Sequence, residues 1–183
     1  PEQTAASPVV SPVAQTIAPT DGKLPDPFRV RRPILVSRPV TARGTLAGKR
    51  VLLLGKGEIV DALKTKLKSQ KALFSKPFDM VVDLNEDVVS SFHEAQNLAS
   101  TPPNKWLTIT RLGGFDRPQT PAAASRQGAV AGFTKALGRE WESTSATVLD
   151  IEPELDSKAT ASVILDELSV MESSSEIFRQ GKR

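Results

Sequence analysis

The sequence predicts a doubly wound α/β domain on a parallel sheet, and three observations lead there. Short apolar runs alternate along the chain with apolar stripes at helical spacing. The short runs are apolar at nearly every position, as strands covered on both faces are. Capping residues stand where two of the stripes begin. With 183 residues, 39% of them apolar, the chain can bury one sizeable core.

Residues 1–27 hold Pro1, Pro8, Pro12, Pro19, Pro25 and Pro27 among Ala, Thr, Ser and Val, with no aromatic residue. Such a stretch cannot bury enough surface to offset its ordering entropy, so an extended, mobile interdomain linker is expected. The chain begins at Pro1 rather than Met and breaks off at "FRQGKR". Both features suggest a piece of a longer polypeptide, with another domain upstream. The folded domain is expected over 28–183. It opens with "FRVRRPILV" (28–36), where Pro33 confines the segment to an edge strand or an arm.

From residue 50 the pattern is regular. The strands expected are "VLLL" (51–54), "DMVVDL" (79–84), "WLTIT" (106–110), "ATVLDI" (146–151) and a closing "SEIF" (175–178). Four helical stripes lie between them: Ile59, Leu63 and Leu67, with Lys64, Lys66 and Lys68 turned outward; Val88, Phe92, Ala95 and Ala99; Val130, Phe133, Leu137 and Trp141; and Ile164, Leu168 and Met171. Thr120 before Pro121 reads as an N-cap followed by proline at the first helical position, and Asp156 can cap the last helix. Strand–helix alternation with parallel strands implies right-handed crossovers.

Composition excludes several function classes. There is no cysteine, hence no disulfide, thiolate metal site or thiol nucleophile. No segment has the apolar length of a membrane span, and no signal peptide precedes the fold, so the cytoplasm is the expected compartment. A net charge of +3 is too small to argue for nucleic acid. Arg29, Arg31, Arg32, Arg38 and Arg43 do cluster, but only Phe28 lies near as an aromatic platform. A solvated or carboxylate-paired strand is the simpler reading.

Candidate sites are sparse. In "LLLGKGEIV", Gly55 and Gly57 stand where a dinucleotide-binding loop needs them, but Val60 occupies the place of the third glycine. No acidic ribose ligand follows in "QKALF" (70–74). A plain tight turn is expected, with the β-branched Val60 pushing the helix away from the strand. "DIEPELD" gathers Asp150, Glu152, Glu154 and Asp156 at a strand's carboxyl end. Carboxylates there could do acid–base work or hold a hard cation; the simpler account is a cap beside a solvated turn. His93, the single histidine, sits one step off an apolar stripe, as a half-exposed helix residue would. A serine hydrolase would need that histidine as a positioned base, and no nucleophile elbow is present.

"GAVAGFTKALGREW" (128–141) resembles the helix after the active-site tyrosine in the short-chain dehydrogenase/reductase superfamily. That family's Tyr-x-x-x-Lys pair falls on Ala123 and Gln127, and the chain contains no tyrosine at all. Alanine has no proton to give, and a neutral amide cannot acidify a phenol. The strand that should bring a catalytic serine brings Thr110 and Arg111, and "VVDLNED" replaces the family's Asn-Ala-Gly element. The distance from Gly55 to Ala123 is short for this family, as though one or more βα units were missing.

A shortened, tyrosine-less copy of this kind resembles the structural, non-catalytic subdomain of a ketoreductase from a polyketide synthase or a polyunsaturated-fatty-acid-type synthase. "PFRVRRP", "LAGKRVLLLGKGE", "WLTITRLGGF", "GFTKALGREW", "VLDIEPELD" and "SEIFRQGKR" carry the resemblance in order over about residues 27–183. It implies a truncated Rossmann-like fold with no catalytic, cofactor or metal residues of its own. It also implies a partner, the catalytic subdomain in the same polypeptide, which uses NADPH to reduce β-ketoacyl groups on acyl carrier protein. Contact with that partner is expected through the arm 28–36 and the strand 175–178. Two other readings stand beside it: a free-standing NAD(P)-dependent reductase, and a carrier-protein docking module using the basic 29–43 stretch.

Overall fold

The computed structural model describes residues 42–112, 120–171 and 176–179. The elements are β1 (Val51–Leu54), α1 (Glu58–Ser69), β2 (Met80–Asp83), α2 (Val88–Leu98), β3 (Lys105–Thr110), α3 (Pro121–Glu140), β4 (Ser145–Ile151), α4 (Ser157–Leu168) and β5 (Glu176–Arg179). All strands pair in parallel, in the spatial order β1-β2-β3-β4-β5. Each expected run from residue 50 onward is a strand, within a residue or two at its ends. The arm 28–36, the 27/28 boundary and Ser175 lie outside the described residues.

The register explains why the runs are continuously apolar. Leu52, Val81, Trp106 and Ala146 form one row across the sheet; Leu53, Val82, Leu107 and Thr147 form the next, on the opposite face. Leu63 and Leu67 of α1 pack with Ile164 and Leu168 of α4 over the face that carries Val82, Leu107 and Leu149. Ala95 and Leu98 of α2 and Leu137 of α3 cover the face that carries Val81 and Trp106. Leu63 and Leu67 are fully buried, each contributing about 1.5–3 kcal/mol relative to exposure.

This arrangement corrects one expectation, crossovers of a single hand throughout. α1 leads first to Leu73, which pairs in parallel with Arg50 on the side of β1 away from β2, whereas α2 and α3 lead toward β3 and β4. Helices that lead in opposite directions with the same crossover hand cover opposite faces, as α1 does relative to α2 and α3. α4 shares the face of α1 although β5 adds beyond β4, so the β4–α4–β5 crossover has the hand opposite to the others.

Two helical stripes also shift. In α2 the buried positions are Ser91, Ala95 and Leu98, whereas Phe92 is 47% exposed and Ala99 lies past the helix end. Val88 and Ala95 satisfy both spacings, and the helix turns its smaller Ser91 to the sheet while Phe92 reaches sideways to Phe133, ring centroids 6.2 Å apart. Met171 is exposed because α4 ends at Leu168 and Val170 fills the buried place instead, bridging to Arg43. The α1 and α3 stripes lie inward as expected.

The caps form as read. Thr120 accepts from the Ala123 N–H at 3.3 Å, and Asp156 accepts from Ala159 at 2.7 Å. Buried polar groups are largely paired with one another. The Trp106 indole N–H donates to Thr108, whose hydroxyl lies 2.6 Å from that of Thr134. Lys105, 7% exposed, donates from Nζ to the carbonyls of Glu167 and Val170 at the C-terminal end of α4.

Candidate functional site

The loops following β1 and β2 lead to helices on opposite faces, and so do those following β3 and β4. Loops that diverge this way open a crevice beyond the carboxyl ends of the strands. A cavity of about 340 Å³ lies there, with Ile59, Leu84, Ile109 and Val130 among its apolar lining. Lys56, Asn85, Arg111, Gln127 and Ser157 are among the polar groups around it.

Backbone geometry calls for glycine in the turn after β1. Gly55 has φ 105°, and a Cβ there would come within 3.0 Å of the Leu84 carbonyl oxygen, so only glycine fits. Gly57 has φ 103° and serves as the N-cap of α1. Val60 is half-buried on α1. Glu58, in the first turn of α1, accepts a hydrogen bond from Ser157 Oγ at 3.0 Å. This ties the N-terminal turns of α1 and α4 together across the crevice. A carboxylate suits both positive helix ends.

At the far side, the residues that fall on the reductase positions hold strand ends together. Thr110, 3% exposed, donates its hydroxyl to Asp150 Oδ1 at 2.8 Å, and the Leu112 N–H donates to the same oxygen at 2.8 Å. Gln127 accepts from the Arg111 N–H through Oε1 at 2.6 Å, which fastens α3 to the exit of β3. The Arg111 guanidinium donates to the carbonyls of Pro153 and Leu155, the latter at 2.8 Å, and so clamps the turn after β4. Ala123 is half-buried in the first turn of α3. Thr110, Arg111, Gln127 and Asp150 thus form one polar clasp over β3, β4 and α3.

The other candidates disperse. Asp150 belongs to the clasp and Asp156 caps α4, so "DIEPELD" does not converge on one point. Among the described residues no group of three or more His, Asp or Glu could hold a metal ion. His93 is exposed and meets Phe92 edge-on at 6.1 Å. Arg43 pairs with Asp166 at 3.1 Å; Arg29, Arg31, Arg32 and Arg38 lie outside the described residues. No helix among those described is long and apolar enough to cross a membrane.

Sequence reasoning missed Asp83. This residue of β2 is fully buried, with Oδ1 accepting from the Asn85 N–H at 3.0 Å and Oδ2 without a hydrogen-bond partner. Burial pushes its carboxyl above the ordinary range. The signal was an acidic residue closing an otherwise apolar strand, "MVVD".

No family model matches the chain, and no curated protein matches it. Among solved structures, a similar one is PlmKR1, a ketoreductase from the first module of phoslactomycin biosynthesis in Streptomyces sp. HK803. The TM-score is 0.54 at 18% sequence identity, over 78% of this chain and 34% of that one. The fold is ketoreductase-like. This chain spans about a third of that ketoreductase's length, and the likeness extends to the Rossmann-like arrangement of parallel strands and covering helices.

Proposed function

We propose that this chain is the non-catalytic structural half of a synthase ketoreductase. It braces a catalytic half in the same polypeptide, and that half uses NADPH to reduce β-ketoacyl thioesters on acyl carrier protein. The observation that carries the reading is the clasp. Where the reductase family keeps its proton donor, its lysine and its serine, this chain has Ala123, Gln127 and Thr110. Gln127 and Thr110 are spent on Arg111 and Asp150, and Ala123 has nothing to donate.

Topology supports a shortened first half. In the common Rossmann order the first strand leads away from the later ones, so its helix lies opposite theirs. Here α1 lies opposite α2 and α3 and leads to Leu73, which forms a single parallel bridge with Arg50 on the side of β1 away from β2. One short bridge stands where that order has further strands.

The test is to incubate the purified chain with NADPH and a β-ketoacyl thioester. Neither reduction nor saturable NADPH binding is expected. Turnover that a single substitution in the crevice abolishes would sink the proposal.

A further inference from the structure

Along β1 the outer edge of the sheet is only partly paired. Main-chain groups of a strand point alternately to its two sides. The carbonyls of Arg50 and Leu54 accept from Met80 and Leu84 on the β2 side. Lys49 and Val51 face the other way. There the Leu73 N–H donates to the Lys49 carbonyl at 2.8 Å, and the Val51 N–H donates to the Leu73 carbonyl at 2.8 Å. Leu53 faces the same way as Val51, and among the described residues no strand continues beyond Leu73 on that side. The Val51 carbonyl and both main-chain groups of Leu53 are therefore open to another strand.

Side chains at this edge sort by face. Leu73 pairs with Arg50 and so lies on the face of Leu52 and Val81, where it is 49% exposed. Phe74, the next residue, is 36% exposed, with Lys64 Nζ 6.0 Å from its ring centroid. Lys64 belongs to α1, which covers the opposite face of the sheet. One face of the edge is thus apolar and the other cationic.

Charge selects the occupant. Residues 49–79 hold eight basic and three acidic side chains. Asp79 is paired with Arg50, and Glu58 and Glu86 line the crevice with Lys56. That leaves Asp61 against Lys49, Lys64, Lys66, Lys68, Lys71 and Lys76, all exposed except the half-buried Lys66. Lysines on an edge strand itself deter pairing, but β1 is uncharged and these lysines flank it. A second copy of this chain, at +3, and its own 28–36 segment, with Arg29, Arg31 and Arg32, bring charge of the wrong sign. An oligonucleotide has the right sign but no strand backbone to pair with Leu53. We propose that the β1 edge binds an extended acidic segment of another protein as an added strand, with its apolar side chains on the Leu73 face and its carboxylates on the Lys64 face. This does not rest on the bracing role.

The test is fluorescence anisotropy of a labelled peptide of about ten residues, alternating Val and Glu, titrated with the 183-residue chain up to about 100 µM. Saturable binding is expected, with slowed hydrogen exchange at the Leu53 amide. Lys49→Glu combined with Lys64→Glu, both exposed, should raise the dissociation constant at least about tenfold and leave the circular dichroism unchanged. The same peptide with its backbone nitrogens methylated keeps every charge but cannot donate to the edge, and it should not bind. Absence of binding would overturn the proposal, as would binding indifferent to the charge reversal or to methylation. An equally tight complex with a single-stranded oligonucleotide of the same net charge would also overturn it.

Discussion

Replacing Thr110 with valine removes one hydroxyl from the clasp and almost nothing else. The two side chains have nearly the same shape, and Thr110 is 3% exposed, so no cavity opens. What is lost is a 2.8 Å hydrogen bond to the Asp150 carboxylate, itself 8% exposed. Hydrogen bonds to charged groups contribute about 1.5–3 kcal/mol. The Leu112 N–H still serves the same oxygen, which places the expected loss near the middle of that range, about 2 kcal/mol. Thr110→Ser retains the hydroxyl and removes a buried methyl, at a cost of about 1 kcal/mol. Urea unfolding measures both, because a single domain of this size has a slope of about 2 kcal/mol per molar, so Thr110→Val should lower the midpoint by about 1 M. The slope itself should not change. If serine proves as damaging as valine, or valine is neutral, the clasp is not held by this hydrogen bond and the structural account of Thr110 fails.

Two aspartates of the β2 region should titrate with opposite sign. Arg50 holds the Asp79 carboxyl down to about 2 through a bidentate side-chain hydrogen bond, aided by the Arg50 backbone N–H. Its stabilisation is complete above the ordinary carboxylate pKa and lost as pH falls toward about 2. The advantage of wild type over Asp79→Asn in chemical denaturation should therefore be flat at neutral pH and vanish in acid. Asp83 is raised by burial, so its favourable state is the protonated one, present at low pH and lost as pH rises through its folded pKa. Asp83→Asn should gain on wild type as pH increases, and a constant difference would refute the assignment. Lys105→Met strands two carbonyls at the end of α4 and should cost about 2–4 kcal/mol, read as a lowered thermal midpoint. Restoring the reductase pair as Ala123→Tyr with Gln127→Lys should yield no NADPH-dependent reduction and should destabilise the fold, because the Arg111 N–H loses its acceptor; recovered turnover would contradict the proposed role.

Much of this fold could be read locally. β1 was legible to the residue because Gly55, forced to positive φ, ends an unbroken apolar run. The caps at Thr120 and Asp156 were legible because capping depends on a side chain and the N–H three residues later. α2 was not, since an 11-residue helix with apolar residues at 88, 92, 95 and 98 satisfies two overlapping stripes. Crossover hand was hidden because it depends on strand order, which no local pattern encodes. At the crevice, the sequence placed Ala123 and Gln127 where the resembled family has its tyrosine and lysine. It could not show that Gln127 serves Arg111, or that Glu58 reaches Ser157, 99 residues away, because such pairs form only once the strands are ordered.

The most direct measurement is the thermal midpoint and β-ketoacyl reduction of the catalytic ketoreductase half that the proposed function places in the same polypeptide, prepared with and without this chain. The account predicts that removing the chain lowers the midpoint markedly and that activity falls with it, while this chain alone turns over nothing. A catalytic half that is equally stable and equally active without it would contradict the account.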